Sequence, residues 1–196
     1  MTKDYKGQLL AKLRANTAAQ YDMPQTAVQG ITYADPVAQF VETSKAVGSR
    51  VVVAQPGYSL DDIVRGAYPQ ARVIASNLSQ LTIATANPDG VASAQDLNGT
   101  DVGVVAGQVG VAENGCVWVP QTMREKAVCF ISEYLVIVLP KSAIVSNMHQ
   151  AYDRIEMTEY GFGSFISGPS KTADIEQALV MGAQAARGVT VVLTDD

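Results

Sequence analysis

Three features of this sequence predict an α/β fold in three layers, with a mostly parallel sheet that carries an antiparallel section. Short β-branched runs alternate with helical stretches at both ends of the chain. The middle loses that alternation and reads as consecutive strands. Capping residues stand where helices should begin, and glycines where they should stop.

Residues 3–19 read as an amphipathic helix, with Leu9, Leu10 and Leu13 on one face and Lys3, Lys6, Lys12 and Arg14 elsewhere. Asp22-Met23-Pro24 interrupts it. Asp35 supplies a cap oxygen and Pro36 the first helical position, so a helix should run to Val47 and stop at Gly48. Arg50–Ala54 is a β-branched run and a short buried strand. Ser59 then caps a helix through Leu60-Asp61-Asp62-Ile63-Val64, and Arg72-Val73-Ile74-Ala75 comes next as a strand.

Asp101–Ala112, Gly115–Val119 and Ala127–Leu139 are all strand-like, with Glu113-Asn114-Gly115 as a tight turn. Gly103, Gly107 and Gly110 mark bulges or close backbone approach there. The last third returns to alternation. Ser142–Ile155 reads as a helix, Gly163–Ser167 as a strand, Thr172–Ala186 as a helix closed by Gly188, and Val189–Leu193 as a final strand.

A chain of 196 residues can bury a full core, and we read residues 1–196 as a single domain with residues 1–34 as a helical N-terminal extension. With 47% apolar and 17% charged residues, the balance is globular rather than disordered. The net charge of −5 and the lack of any basic run argue against nucleic acid as a partner. Cys116 and Cys129 are far apart and the chain holds one histidine, so no metal site is expected, and the thiols read as buried and reduced. No cofactor is indicated. The N-terminus lacks a signal-peptide core, and the longest apolar stretch, Leu135–Leu139, is far too short to span a bilayer. The expectation is a cytoplasmic protein without membrane insertion.

The segment richest in chemistry is Phe165-Ile166-Ser167-Gly168-Pro169-Ser170-Lys171-Thr172-Ala173-Asp174-Ile175-Glu176. A strand gives way here to what reads as a helix start. Carboxyl ends of strands in open sheets bind ligands, and helix starts favour anions. Ser167, Ser170 and Thr172 add hydroxyls and Lys171 a charge. The competing reading is a plain helix cap, with Asp174 and Glu176 complementing the dipole; Gly168-Pro169 is the part that a cap does not need. Glu113, beside Asn114 and Gly115, reads either as a solvated turn residue or as a desolvated base or nucleophile. Arg187, after the helix-breaking Gly182, could hold an anion or simply complement a helix end. His149 reads as a surface residue and Trp118 as core. No Walker A, G-x-G-x-x-G, G-x-S-x-G or H-E-x-x-H string is present.

Taken together, these segments resemble the LUD-domain family, which includes lactate utilisation protein C. The family signature Ser-Gly-Pro-Ser-x-Thr-x-Asp-Ile-Glu is matched from Ser167 to Glu176. Gly182 and Val189-Thr190-Val191-Val192-Leu193 fit the family's glycine-bearing helix end and apolar final strand. Ala112-Glu113-Asn114-Gly115 is similar to the family's Ala-Glu-Thr-Gly turn. Two family histidines are replaced, one by Gln184 and one by Tyr134, while Arg187 is kept. The resemblance implies a NagB/RpiA/CoA-transferase-like fold. It also implies an accessory or ligand-binding role in oxidising L-lactate to pyruvate, beside partner subunits that carry iron–sulfur centres. The expected ligand is a small anion, carboxylate or phosphate, held by Ser167, Gly168, Pro169, Ser170, Lys171 and Thr172 with Asp174, Glu176, Asn114, Gly115, Tyr134, Gln184 and Arg187 nearby; the arrangement is compatible with a homodimer. The alternative is a small-molecule enzyme of the CoA-transferase or sugar-phosphate isomerase type, because Glu113-Asn114-Gly115 resembles the turn bearing the nucleophilic glutamate of CoA transferases.

Overall fold

The computed structural model describes residues 4–16, 22, 29–158, 160–175 and 178–195. In chain order the first elements are α1 (Tyr5–Ala15), α2 (Pro36–Ala46), β1 (Arg50–Val53), α3 (Leu60–Ala67), β2 (Ile74–Ala75), β3 (Val102–Ala106), β4 (Val109–Val111) and β5 (Cys116–Pro120). Next come α4 (Val128–Ile131), β6 (Tyr134–Pro140), β7 (Ile144–Val145), α5 (Met148–Tyr152), β8 (Gly163–Ile166), β9 (Lys171–Ile175), β10 (Ala178–Met181) and β11 (Gly188–Thr194).

The predicted caps form. Asp35 Oδ1 accepts from the Ala38 amide at 2.9 Å, and Ser59 Oγ accepts from the Asp62 amide at 3.2 Å. The β-branched runs build a five-stranded sheet, ordered β1-β11-β6-β3-β2, in which every neighbouring pair is parallel. Its side chains alternate between two faces with the period of two that a strand imposes. Leu135, Ile137, Leu139, Val189, Val191 and Leu193 join Phe40 of α2 and Val117 and Val119 of β5 in one cluster. Val102, Val104, Val136, Val138 and Val192 join Leu60 and Val64 of α3 in another. Burial on both faces is why β3, β6 and β11 read as unbroken apolar runs, whereas β1, expected to be buried, is an edge strand with Arg50 and Val53 exposed and Val51 and Val52 half-buried.

The antiparallel section stands as a second sheet, ordered β7-β4-β5-β8, with β5 antiparallel to β4 and β8, and β7 parallel to β4. One face packs on the parallel sheet. The other collects Val109, Val111, Cys116, Trp118, Val145 and Ala151. The Glu113-Asn114-Gly115 turn forms as expected. Gly115 has φ +66°, and a Cβ there would lie 2.9 Å from the Ser44 backbone, so only glycine fits between this turn and α2. Gly107 likewise marks close approach rather than a bulge: a Cβ there would sit 2.5 Å from Val117 and 2.9 Å from Ile137.

Several expected elements differ. The helix expected over Thr172–Ala186 is instead an antiparallel pair, β9 with β10, registering Thr172 with Val180 and Lys171 with Met181. Both backbone groups of Ser170 are already committed: its N–H donates to the Ala186 carbonyl at 2.9 Å and its carbonyl accepts from the Gly182 amide at 3.0 Å. A helix starting there would need that carbonyl for its own first turn.

Within Ser142–Ile155 the only α-helix is α5, preceded by a 3-10 turn over Lys141–Ala143, because Ile144 and Val145 are buried as a strand beside Gly110 and Val111. Ala127–Leu139 begins with α4 before β6, and Ser132 Oγ donates to the Val128 carbonyl at the helix end. Only Ile74 and Ala75 of the expected second strand pair, since the Arg72 and Val73 amides go to Asp101 Oδ2. Of the helix expected over residues 3–19, the described part is α1, whose Leu9, Leu10 and Leu13 are exposed rather than packed as a core face. Residue 3, residues 17–19 and the Met23-Pro24 interruption lie outside the described residues. Among the described residues no helix is long and apolar enough to cross a membrane.

Candidate functional site

The Ser-Gly-Pro-Ser loop leaves β8, which belongs to the mixed sheet, so it does not sit at the carboxyl end of a parallel strand as expected. The loop lies instead at the amino edge of the parallel sheet. Ser170 bonds Ala186, just before β11 begins, and Lys171 Nζ donates to the Val47 carbonyl at 2.6 Å, just before β1 begins. Lys171 thereby covers a terminal carbonyl of α2, the negative end of that helix. Gly168 has φ +70°, and a Cβ on it would lie 2.6 Å from that same Val47 oxygen. Ser167 Oγ donates to the Asn114 carbonyl at 3.0 Å, which ties the loop to the β4–β5 turn.

Ser167, Gly168, Pro169, Ser170 and Lys171 line a cavity of about 420 Å³ together with Gln184, and Cys129, Phe130, Leu135 and Val189 are among its walls. The volume suits a small ligand. Sequence reasoning groups the polar residues and misses the apolar walls, because residues of α4, β6 and β11 meet the loop only through the fold.

The other candidate positions separate from this cavity. Thr172, Asn114 and Gly115 are not among the residues that line it. Asp174 sits within β9 rather than in the first turn of a helix, and Glu176 lies outside the described residues. Glu113 Oε1 accepts from the Met148 amide at 2.7 Å, where it caps the start of α5. Replacing Glu113 with alanine should cost about 1 kcal/mol in urea unfolding, the usual value of such a cap.

Arg187 pairs with Glu133 at 2.9 Å and lies 5.6 Å over the Tyr134 ring. Gln184, Glu133 and Arg187 line an adjoining cavity of about 260 Å³. Sequence reasoning misses Glu133; its position just before β6 carries no signal, and only the pairing of β6 with β11 sets it opposite Arg187. His149 is exposed and Trp118 is buried, as expected.

Cys116 and Cys129 are free and buried, and burial pushes both thiols up to about 12. Both should resist alkylation in the folded chain at neutral pH and react only on unfolding. The raised values also set a sign. From about pH 9, where the unfolded thiols begin to ionise, up to about 12, the folded state keeps protons that the unfolded state has lost. Their contribution is therefore intact below pH 9 and disappears as the pH climbs to 12, which urea titrations at stepped alkaline pH can follow.

A family model described as the LUD domain matches residues 89–194, more than half of the 196 residues. The chain belongs to the LUD domain family. The matched stretch of this LUD domain runs from before β3 to the end of β11 and holds the whole Ser167–Lys171 loop and Gln184.

Among curated proteins, the LUD chain is 32% identical over 117 residues to "Lactate utilization protein C" of Shouchella clausii, covering 56% of this chain and 51% of that protein. It is 26% identical over 184 residues to the protein of the same name from an Exiguobacterium species, covering 81% of this chain and 79% of the relative. The match to the one from Geobacillus kaustophilus is 29% over 150 residues, 70% of this chain and 58% of that protein. The LUD chain thus spans about half the length of the first of these relatives.

Among solved structures, a DUF162 family protein from Deinococcus radiodurans superposes with a TM-score of 0.66 at 14% identity, covering 84% of this chain and 99% of the other. That likeness establishes the fold of the LUD chain.

Proposed function

We propose that this LUD-family chain is an accessory, ligand-binding component of a system that oxidises L-lactate to pyruvate, and that the cavity over Ser167–Lys171 holds a small carboxylate. The observation that carries the reading is the cavity itself: two serines, a left-handed glycine and a lysine converge on one wall. The Lys171 ammonium has three N–H donors and gives one to the Val47 carbonyl, which leaves donors for an anion. The names of the curated relatives favour lactate as the metabolic setting. In this reading the redox centres belong to iron–sulfur partner proteins in the cytoplasm, and the chain alone turns nothing over. The Met148 amide bond to Glu113 supports a capping role for that carboxylate over a nucleophilic one.

Thermal unfolding in the presence of L-lactate, pyruvate, inorganic phosphate and acyl-CoA tests the reading, because a ligand of the folded state raises the midpoint by mass action. L-lactate or pyruvate should raise it. A rise with phosphate or acyl-CoA alone, or lactate oxidation by the isolated chain, would remove the proposal.

A further inference from the structure

A second cavity, of about 400 Å³, opens at the same amino edge between the end of α3 and the starts of β3 and β6. Its walls are built around two tyrosines. Tyr68 and Tyr134 lie with ring centroids 4.8 Å apart and planes tilted by 40°. Neither ring is loose. The Tyr68 hydroxyl is 2.7 Å from Oγ1 of Thr190, a residue 1% exposed. Tyr134 is wedged against Gly188, where a Cβ would fall 2.8 Å from the ring, and is covered on another side by the Arg187 guanidinium. Rigid aromatic faces bind flat groups at little cost in ordering.

The polar groups of this cavity choose the ligand further. Asp101 and Glu133 line it, and ionised carboxylates only accept hydrogen bonds. Two backbone amides, of Val73 and Arg72, bond to Asp101 and hold its carboxyl below the usual carboxylate range, so it stays charged at neutral pH. Gln70 adds a side-chain amide that both donates and accepts. Glu133 gives one oxygen to Arg187 at 2.9 Å, so a ligand here must offer a flat face to the tyrosines and N–H donors to Asp101 and the second Glu133 oxygen, and an anionic ring would meet the Asp101 charge. We propose that the cavity walled by Tyr68 and Tyr134 binds a planar nitrogen heteroaromatic ring bearing N–H donors, as a free base or as the base of a nucleotide. This site is separate from the carboxylate cavity and does not depend on that reading.

Ligand-observed saturation-transfer NMR on the full chain tests it, with adenine, adenosine monophosphate, benzoate and cyclohexylammonium as probes. Adenine should bind with a roughly millimolar dissociation constant, and its signals should report transfer from tyrosine ring protons. Benzoate, a ring with the wrong charge, and cyclohexylammonium, a donor without a ring, should bind much less. Tyr134→Leu should weaken adenine about tenfold by removing one stacking face. Gln70→Ala, a change at an exposed position after α3, should weaken it too without threatening the fold. Tighter binding of the monophosphate than of adenine assigns the ring to a nucleotide, and the reverse order assigns it to a free base; both uphold the site. Absence of adenine binding overturns the proposal, as does benzoate binding equal to adenine, or adenine binding unchanged in both Tyr134→Leu and Gln70→Ala. L-lactate serves as the independent readout of the other cavity, so failure of one site is distinguishable from failure of the other.

Discussion

Replacing Gly168 with alanine should destabilise the chain by about 2 kcal/mol or more and abolish carboxylate binding in the adjoining cavity. Gly168 has φ +70°, a conformation in which a side chain strains the backbone. The added methyl would also meet the Val47 carbonyl oxygen at 2.6 Å and its carbon at 3.3 Å, and both are backbone atoms that cannot rotate away. Relief requires the loop to move off α2, which pulls Lys171 from the same carbonyl and opens the wall formed by Ser167–Lys171. Urea unfolding reads the stability, and calorimetric titration with L-lactate reads the binding. Gly161→Ala is the matched control, because a Cβ there meets nothing within 4 Å. It should fall within about 0.5 kcal/mol of the parent chain. Equal midpoints for the two variants would remove the role given to this glycine.

Lys171→Met should lower the affinity for a small carboxylate by about tenfold while changing stability much less, since charge-assisted hydrogen bonds are the stronger kind. Methionine keeps the unbranched apolar stem and loses the ammonium. The cost to folding is one exposed contact with a helix-terminal carbonyl, worth about 1 kcal/mol at most. Lys171→Arg keeps the charge on a different fork and should recover part of the binding. Undiminished titration of L-lactate into Lys171→Met would show that this ammonium does not face the ligand.

The parts of this fold written locally were legible in the sequence. Asp35-Pro36 and Ser59 start helices by caps whose atoms lie within three residues of each other, and Gly115 closes a turn whose geometry is its own. The apolar runs of β3, β6 and β11 declared a sheet buried on both faces because such burial leaves no polar alternation to read, while the equally valine-rich β1 is only partly buried because strand order leaves it at the edge. The Thr172–Ala186 stretch misled for a physical reason. Ser170, Thr172, Asp174 and Glu176 satisfy the chemistry of a helix start, but the Ser170 backbone is bonded to Ala186 and Gly182, contacts that no local pattern records.

The candidate site was legible in the same proportion. The loop Ser167–Lys171 and Gln184 do meet in one cavity. The apolar wall from Phe130, Leu135 and Val189, the Val47 carbonyl under Lys171, and the Glu133 partner of Arg187 come from distant segments brought together by strand order. Glu113 reads as a turn carboxylate or a nucleophile and Tyr134 as a neighbour of the Ser167–Lys171 loop, whereas the fold sends one to the cap of α5 and the other to a tyrosine-walled cavity of its own.

In the proposed function the loop at the amino edge of the parallel sheet is a receptor for a small carboxylate. Backbone amide spectra of the isotope-labelled chain during a titration with L-lactate test this residue by residue. The expected result is saturable movement of the Ser167, Gly168, Ser170 and Lys171 amides together with those of Gln184 and Ala185, and none at the α5 cap around Met148. Amides of the loop that stay still while lactate saturates another part of the chain, or a spectrum unchanged throughout, would contradict it.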